Sequence, residues 1–168
     1  MALNLSVLTD IVTKSGVRID EVKTKSVVVV WRRATPYYPA FIDASVWTQE
    51  DCTDNAVVPF HVYSDSVAVS AQDNEQMTDF STSVYYATFN TQGCNKVRVS
   101  AKSESSGRGD TGGIDVNDVM QVVPALKTDL YYDIDPNAST FTIKLNAVNA
   151  SSAYSLDVIL YEIEVYCV

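Results

Sequence analysis

The most regular hydrophobic pattern of this chain lies at its carboxyl-terminal end, in residues 154–168. Side chains of two kinds alternate there: Tyr161, Ile163, Val165 and Cys167 on one side, Glu162, Glu164 and Tyr166 on the other. A spacing of two is typical of a β-strand with one buried face. A long apolar strand left at a sheet edge promotes aggregation, so we predict that this strand is paired on both sides.

Shorter runs of the same kind recur along the chain, separated by turn residues. Residues 83–90 and 96–102 alternate clearly and flank a turn that contains Gly93, so we predict that they form a hairpin. Residues 27–31 form a continuous apolar run, which is typical of a central strand. The chain has roughly eight to ten such strands and almost no helical periodicity. The sequence therefore predicts an all-β protein, an antiparallel β-sandwich of jelly-roll-like character.

The amino-terminal segment, residues 1–16, has two interpretations. Leu5 and Leu8 share a helical face, which indicates a short helix, while Leu3 and Leu5 also alternate, which indicates an extended arm. Residues 17–168 are predicted to form a single β-sandwich domain.

Four further segments have weaker patterns. Residues 41–47 predict a short strand, residues 49–55 a loop, and residues 114–126 either a helical turn or an irregular strand. Residues 103–113 hold four of the six glycines beside three serines. This composition predicts a mobile glycine-rich loop that buries little apolar surface.

Charge and hydropathy exclude several classes of protein. The formal net charge is −9, and such a field repels nucleic-acid phosphate, so we expect no binding to DNA or RNA. No apolar run reaches the length of a transmembrane helix, and the first residues lack the features of a signal peptide, so we expect neither membrane insertion nor secretion. Three widely spaced cysteines predict free thiols.

The residues that carry catalytic chemistry in other proteins are sparse here. His61 is the single histidine, and no serine or cysteine stands in a nucleophile motif. Glu162 and Glu164 share one strand face, but we expect them to pair with lysine or arginine across the sheet. A calcium site near Asp115 and Asp118 stays open as an alternative. We therefore predict a protein without enzymatic activity, catalytic residue, cofactor or metal.

Assembly is the function that these features favour. A small, acidic all-β chain without a signal peptide resembles, in general character, a small jelly-roll capsid subunit or a decoration (cement) protein of a phage. This resemblance implies a virion component, assembled in the host cytoplasm, that contacts other virion proteins and forms a symmetric homo-oligomer such as a trimer or larger ring. The predicted interface residues are Leu3, Leu5, Leu8, Arg108, Asp110, Tyr161 and Tyr166.

The alternative function is carbohydrate binding through surface aromatic residues. Tyr37 and Tyr38 lie between two prolines, and together with Trp47 they are candidates for a platform on which a glycan stacks. Adjacent tyrosines in a strand point to opposite faces, so each further pair is expected to place one ring in the core and one outside.

Overall fold

The structure, a computed structural model, describes residues 11–12, 18–19, 21–23, 29–36, 40–52, 59–72, 81–105, 110–149 and 155–167. Two 3-10 helical turns, Ala40–Ile42 and Ala44–Val46, accompany a series of strands. In chain order the strands are β1 (Ile11–Val12), β2 (Arg18–Ile19), β3 (Glu21–Lys23), β4 (Val29–Pro36), β5 (Thr48–Cys52), β6 (Phe60–Val62), β7 (Val67–Gln72), β8 (Ser81–Asn90), β9 (Lys96–Ser105), β10 (Thr111–Val116), β11 (Val119–Val122), β12 (Thr128–Asp133), β13 (Thr140–Asn149) and β14 (Ser155–Cys167).

Two antiparallel sheets pack face to face, with β1 and β2 paired separately. The five-stranded sheet has the order β11-β10-β13-β8-β5, and the seven-stranded sheet the order β12-β9-β14-β4-β3, with β7 also paired to β14 and β6 to β7. From β7 onward, consecutive strands alternate between the sheets, except that β10 and β11 form a hairpin. The resulting orders β7-β14-β9-β12 and β8-β13-β10-β11 are those of a jelly roll. The predicted fold class is confirmed.

Strand β14 has neighbours on both sides, as predicted. It pairs with β9 along one side, and with β7 and then β4 along the other. Leu160 is buried, the register shifts between Leu160 and Glu162, and Ile163 resumes the buried face. This β-bulge leaves Tyr161 only half-buried, whereas strict alternation predicted it on the core side.

The core between the sheets consists of aliphatic and aromatic side chains. Its largest fully buried members are Phe41, Phe141, Ile114, Ile143, Leu145, Leu156, Leu160 and Ile163. Burying each such side chain stabilises the fold by about 1.5–3 kcal/mol. A polar contact links the two sheets through the core, because the buried Tyr132 hydroxyl of β12 donates to the carbonyl oxygen of Ile114 in β10 at 2.9 Å.

Residues 41–52 differ from the prediction. The segment 41–47 forms 3-10 turns instead of a strand, because Phe41 and Trp47 are both buried and the indole Nε1 donates to the Phe41 carbonyl at 2.8 Å. An extended strand would hold Phe41 and Trp47 too far apart for this hydrogen bond. Residues 49–52, predicted to be part of a loop, belong to the edge strand β5, which has polar, mostly exposed side chains and so gives no hydrophobic signal.

The predicted hairpin of residues 83–90 and 96–102 is wrong, although both strands exist. Strand β8 pairs with β13 and β5, whereas β9 pairs with β12 and β14 in the other sheet. The turn between them crosses from one sheet to the other. It contains Gln92 and Gly93, both at positive φ.

The described residues of the glycine-rich segment are mostly strand, and residues 106–109 lie outside the described part of the chain. Strand β9 continues to Ser105, β10 begins at Thr111, and Gly112 and Gly113 are both buried. A Cβ atom at Gly112 would lie 2.9 Å from Val158 Cγ2 and 3.0 Å from Ser103 Cβ. Gly112 is thus buried because the opposite sheet approaches its backbone closely, which the prediction of a mobile loop missed.

The segment 114–126 is neither helical nor an irregular strand. It contains the hairpin of β10 and β11, closed by Asn117 and Asp118 with φ values of 49° and 67°. Positive φ at both central residues is typical of a type I′ turn, whose twist matches that of the flanking strands.

At the amino terminus, Ile11 and Val12 form β1 and pair with β2, so a helix extending to these residues is excluded and the extended alternative fits them. The predicted residues Leu3, Leu5 and Leu8 lie outside the described residues.

Candidate functional site

The outer faces of the two sheets differ in chemistry. The seven-stranded sheet presents a charged face, on which β9, β12 and β14 bring acidic and basic side chains together. The five-stranded sheet presents threonine, valine, asparagine and tyrosine with few charges. A surface that binds a partner more often has few charges at its centre, which favours the face of the five-stranded sheet.

On the charged face, Arg98 is surrounded by carboxylates. Its guanidinium contacts Asp129 at 2.8 Å, Glu162 at 3.1 Å and Glu164 at 2.7 Å. Burial opposes the charge of Arg98, but the carboxylates outweigh it and raise its pKa. Burial is also the largest influence on Glu164 and raises the pKa of that carboxyl despite Arg98. The prediction that Glu162 and Glu164 pair with a cation across the sheet is confirmed.

On the outer face of the five-stranded sheet lies a shallow depression of about 360 Å³. It is lined by Gln49, Glu50, Tyr86, Thr142 and Lys144, from β5, β8 and β13. Tyr86 stands directly opposite Lys144 in the register of β8 and β13. Lys144 Nζ also contacts Glu50 Oε1 at 2.9 Å, so this ion pair bridges the depression from the central strand to the edge strand.

A second feature lies at the edge where β11 ends the five-stranded sheet and β12 ends the other. Large apolar side chains are exposed there, and we call them the apolar edge: Val119, Met120, Val122, Leu126 and Tyr131. Leu126 is 79% exposed and Val122 65%. The Gln121 side chain donates to the Tyr131 carbonyl at 2.8 Å and so ties the two sheet edges together.

Three of the predicted interface residues, Asp110, Tyr161 and Tyr166, are among the residues that the structure describes. Tyr161 is half-buried with Lys127 Nζ 4.3 Å from its ring centroid, and burial raises the pKa of the half-buried Tyr166. Asp110 accepts a hydrogen bond from Ser105. Arg108, like Leu3, Leu5 and Leu8, lies outside the described residues, so the predicted interface stays a prediction.

The predicted glycan platform of Tyr37, Tyr38 and Trp47 loses one of its members. Trp47 is buried in the core, 5.8 Å from the Phe60 ring, and is not a surface aromatic. Tyr37 and Tyr38 lie outside the described residues. The expectation for adjacent tyrosines is confirmed twice: Tyr85 packs against the core while Tyr86 lines the depression, and Tyr132 is buried while Tyr131 is exposed.

The described residues contain no group of three or more histidine, cysteine or acidic side chains placed to hold a metal ion. Asp115, a candidate calcium ligand, instead accepts a hydrogen bond from the backbone N–H of Asp118 at 2.8 Å. The ring of His61, the single histidine, stacks near that of Tyr63, with 6.3 Å between the ring centroids.

Sequence reasoning missed both the depression and the apolar edge. The signal for the edge was present, because Val119, Met120 and Val122 follow a turn-forming Asn-Asp pair. The depression left no such signal, since its lining residues come from three separated strands. The chain matches no known family model, and no curated protein is similar enough to count as a relative. Among the residues that the structure describes, no helix is long and apolar enough to cross a membrane.

Proposed function

We propose that this protein is a non-enzymatic assembly subunit, a jelly-roll component of a virion that acts through contacts with further copies of itself and with other virion proteins. The observation that supports it is the apolar edge. Of eight large apolar side chains exposed on the described part of the chain, five belong to this one edge. Met120 and Val122 share the outer face of β11, and neighbouring exposed apolar residues mark surfaces that bind proteins more often than single ones do.

Hairpin geometry supplies a second argument. Val116 and Val119 close the turn as a hydrogen-bonded pair, so Met120 and Val122 direct their backbone N–H and C=O groups away from β10. A sheet edge with free backbone groups pairs readily with another strand. The edge of a second copy fits best, because Val119–Val122 carries no charge while each whole chain carries −9. Contact at an uncharged strand keeps the repelling charges apart.

In antiparallel pairing of two β11 strands, Met120 of each copy exchanges hydrogen bonds with Val122 of the other. Such a contact is symmetric and gives a dimer. The trimer or larger ring expected from the sequence then requires a second contact, and it stays a prediction.

The test is the mass of the full chain in solution, measured by analytical ultracentrifugation over a range of concentrations. We expect an oligomer that Val122→Glu converts to monomer, because the carboxylate would be placed in an apolar contact. Val62→Glu is the matched control, since Val62 is a 43% exposed valine on a different strand. A monomer at every concentration, or an equal effect of both variants, contradicts self-association. Recovery of the chain from purified virus particles by mass spectrometry tests the virion assignment separately.

A further inference from the structure

The depression on the five-stranded sheet has the size of a small ligand site. Its volume of about 360 Å³ lies at the lower end of the range for such sites, about 300–1,000 Å³. The register of β5 shifts between Gln49 and Asp51, so the strand bulges at Glu50 and forms one wall. Bulges in edge strands often serve to re-aim a side chain toward a site.

The lining combines one aromatic ring with polar groups of several kinds. Tyr86 supplies the ring, Glu50 accepts hydrogen bonds, Thr142 both donates and accepts, and Lys144 donates. A pyranose sugar matches this set, because its ring has a face of C–H groups that packs on an aromatic ring and an edge of hydroxyl groups.

Charge further restricts the ligand. Lys144 is the one cation of the lining, and it is engaged by Glu50, whose hydrogen bond raises the pKa of the lysine. Asp115 stands opposite Lys144 on its other side in the register of β10 and β13. With its nearest cation neutralised and a net charge of −9, this face repels phosphate and acidic sugars.

We propose that the depression formed by Gln49, Glu50, Tyr86, Thr142 and Lys144 binds neutral saccharides, with the sugar ring stacked on Tyr86. This site lies on different residues from the aromatic platform predicted from the sequence. It is also separate from the apolar edge, so the same subunit is able to assemble through one surface and bind a glycan through another.

The experiment tests binding of the full chain to a printed array of neutral and acidic oligosaccharides. The neutral glycans that bind are then titrated into the chain by calorimetry. We expect Tyr86→Ala to weaken binding by at least about tenfold, since stacking and orientation are both lost. Tyr63→Ala is the matched control, because Tyr63 is 51% exposed and does not line the depression. The control should bind as the wild type does.

Glu50→Gln provides a second variant on an exposed edge position that does not threaten folding. It should also weaken binding, because a carboxylate accepts stronger hydrogen bonds from hydroxyl groups than an amide does. The proposal is overturned if no neutral glycan on the array binds the chain. It is also overturned if the Tyr86 and Tyr63 variants bind equally, or if the chain prefers acidic sugars or peptides. Since Val122→Glu probes the other surface, failure of this proposal leaves the assembly proposal intact.

Discussion

At the scale of single residues, Arg98 has more ion-pair partners than any other side chain in the part of the chain that the structure describes. Three carboxylates surround one guanidinium that is 22% exposed. Removing any one acid leaves two partners for Arg98, but removing Arg98 leaves three negative charges close together on a partly buried sheet face. The cation is therefore the member of this cluster that the fold tolerates losing least.

We predict that Arg98→Met lowers the free energy of unfolding by about 1–3 kcal/mol at pH 7, as the loss of hydrogen bonds between charged groups requires. Methionine keeps the apolar stem of the side chain, so the effect measures charge. Lys96→Met on the same strand is the control. Its partner Asp133 is 84% exposed, and such a pair contributes about 0–1 kcal/mol. Urea denaturation of the three proteins gives the comparison.

The pH dependence of this difference has a definite sign. Burial acts to raise the pKa of Asp129, but hydrogen bonds from Arg98 and Ser100 outweigh it and hold the pKa below its ordinary value of 3.8. A carboxyl with a lowered pKa stabilises the fold above that ordinary value and loses the effect as the pH falls through the folded value. The gap between wild type and Arg98→Met should therefore narrow as the pH falls, first through protonation of Glu164, whose pKa is raised, and further below about pH 4 through Asp129. A gap that widens in acid would contradict this assignment.

At the scale of elements, strand β10 shows how two neighbouring glycines differ. A Cβ atom at Gly112 would point between the sheets against Val158 and Ser103. A Cβ atom at Gly113 would come closest to the Cε atom of Met120, the end of a flexible and half-exposed side chain on the outer face. The first neighbour set is packed in the sandwich, whereas the second is free to move.

We therefore predict that Gly112→Ala lowers the free energy of unfolding by about 1–3 kcal/mol through overpacking. Gly113→Ala should change it by less than about 0.5 kcal/mol, because Met120 moves aside at an exposed position. Thermal unfolding of both variants beside the wild type decides the matter. Equal shifts for the two variants would indicate that the sheets do not approach each other most closely at Gly112.

The same comparison shows what the sequence is able to predict. Strands β9 and β14 were located from their alternation, since one-sided burial imposes that pattern directly on the chain. The pairing of β8 with β13 was not predicted, because packing between distant segments decides which sheet each strand joins. Gly112 reads as a loop residue in isolation, and only the side chain of Val158 from the other sheet explains its burial.

The candidate surfaces also combine residues whose orientation is predictable from the sequence with a spatial arrangement that is not. The alternation of β8 predicts that one ring of the adjacent Tyr85 and Tyr86 lies outside the core, without deciding which. That Glu50 and Lys144 meet beside Tyr86 required the positions of β5 and β13, which are far apart in the chain. Sequence periodicity thus predicts which side chains face outward, whereas tertiary structure decides which of them come together.

At the scale of the whole molecule, the jelly roll is completed by its last strand. Strand β14 joins β9 to both β7 and β4, and it contributes buried side chains along its length: Leu156, Val158, Leu160, Ile163 and Val165. Five such side chains at about 1.5–3 kcal/mol each contribute an amount comparable to the whole stability of a typical domain, about 5–15 kcal/mol. The remaining strands are therefore not expected to hold a stable sandwich without β14.

A chain that ends at residue 154 should accordingly lack a cooperative thermal transition and lose its β-type far-ultraviolet circular dichroism. Tyr161→Ala and Leu160→Ala in the full chain separate the role of packing from that of length. Tyr161 lies at the bulge and is half-buried, so its loss should matter less than that of fully buried Leu160, which should cost about 2–5 kcal/mol. A shortened chain that still unfolds cooperatively would mean that the other strands form a complete core by themselves, and that the central position of β14 is not what stabilises the sandwich.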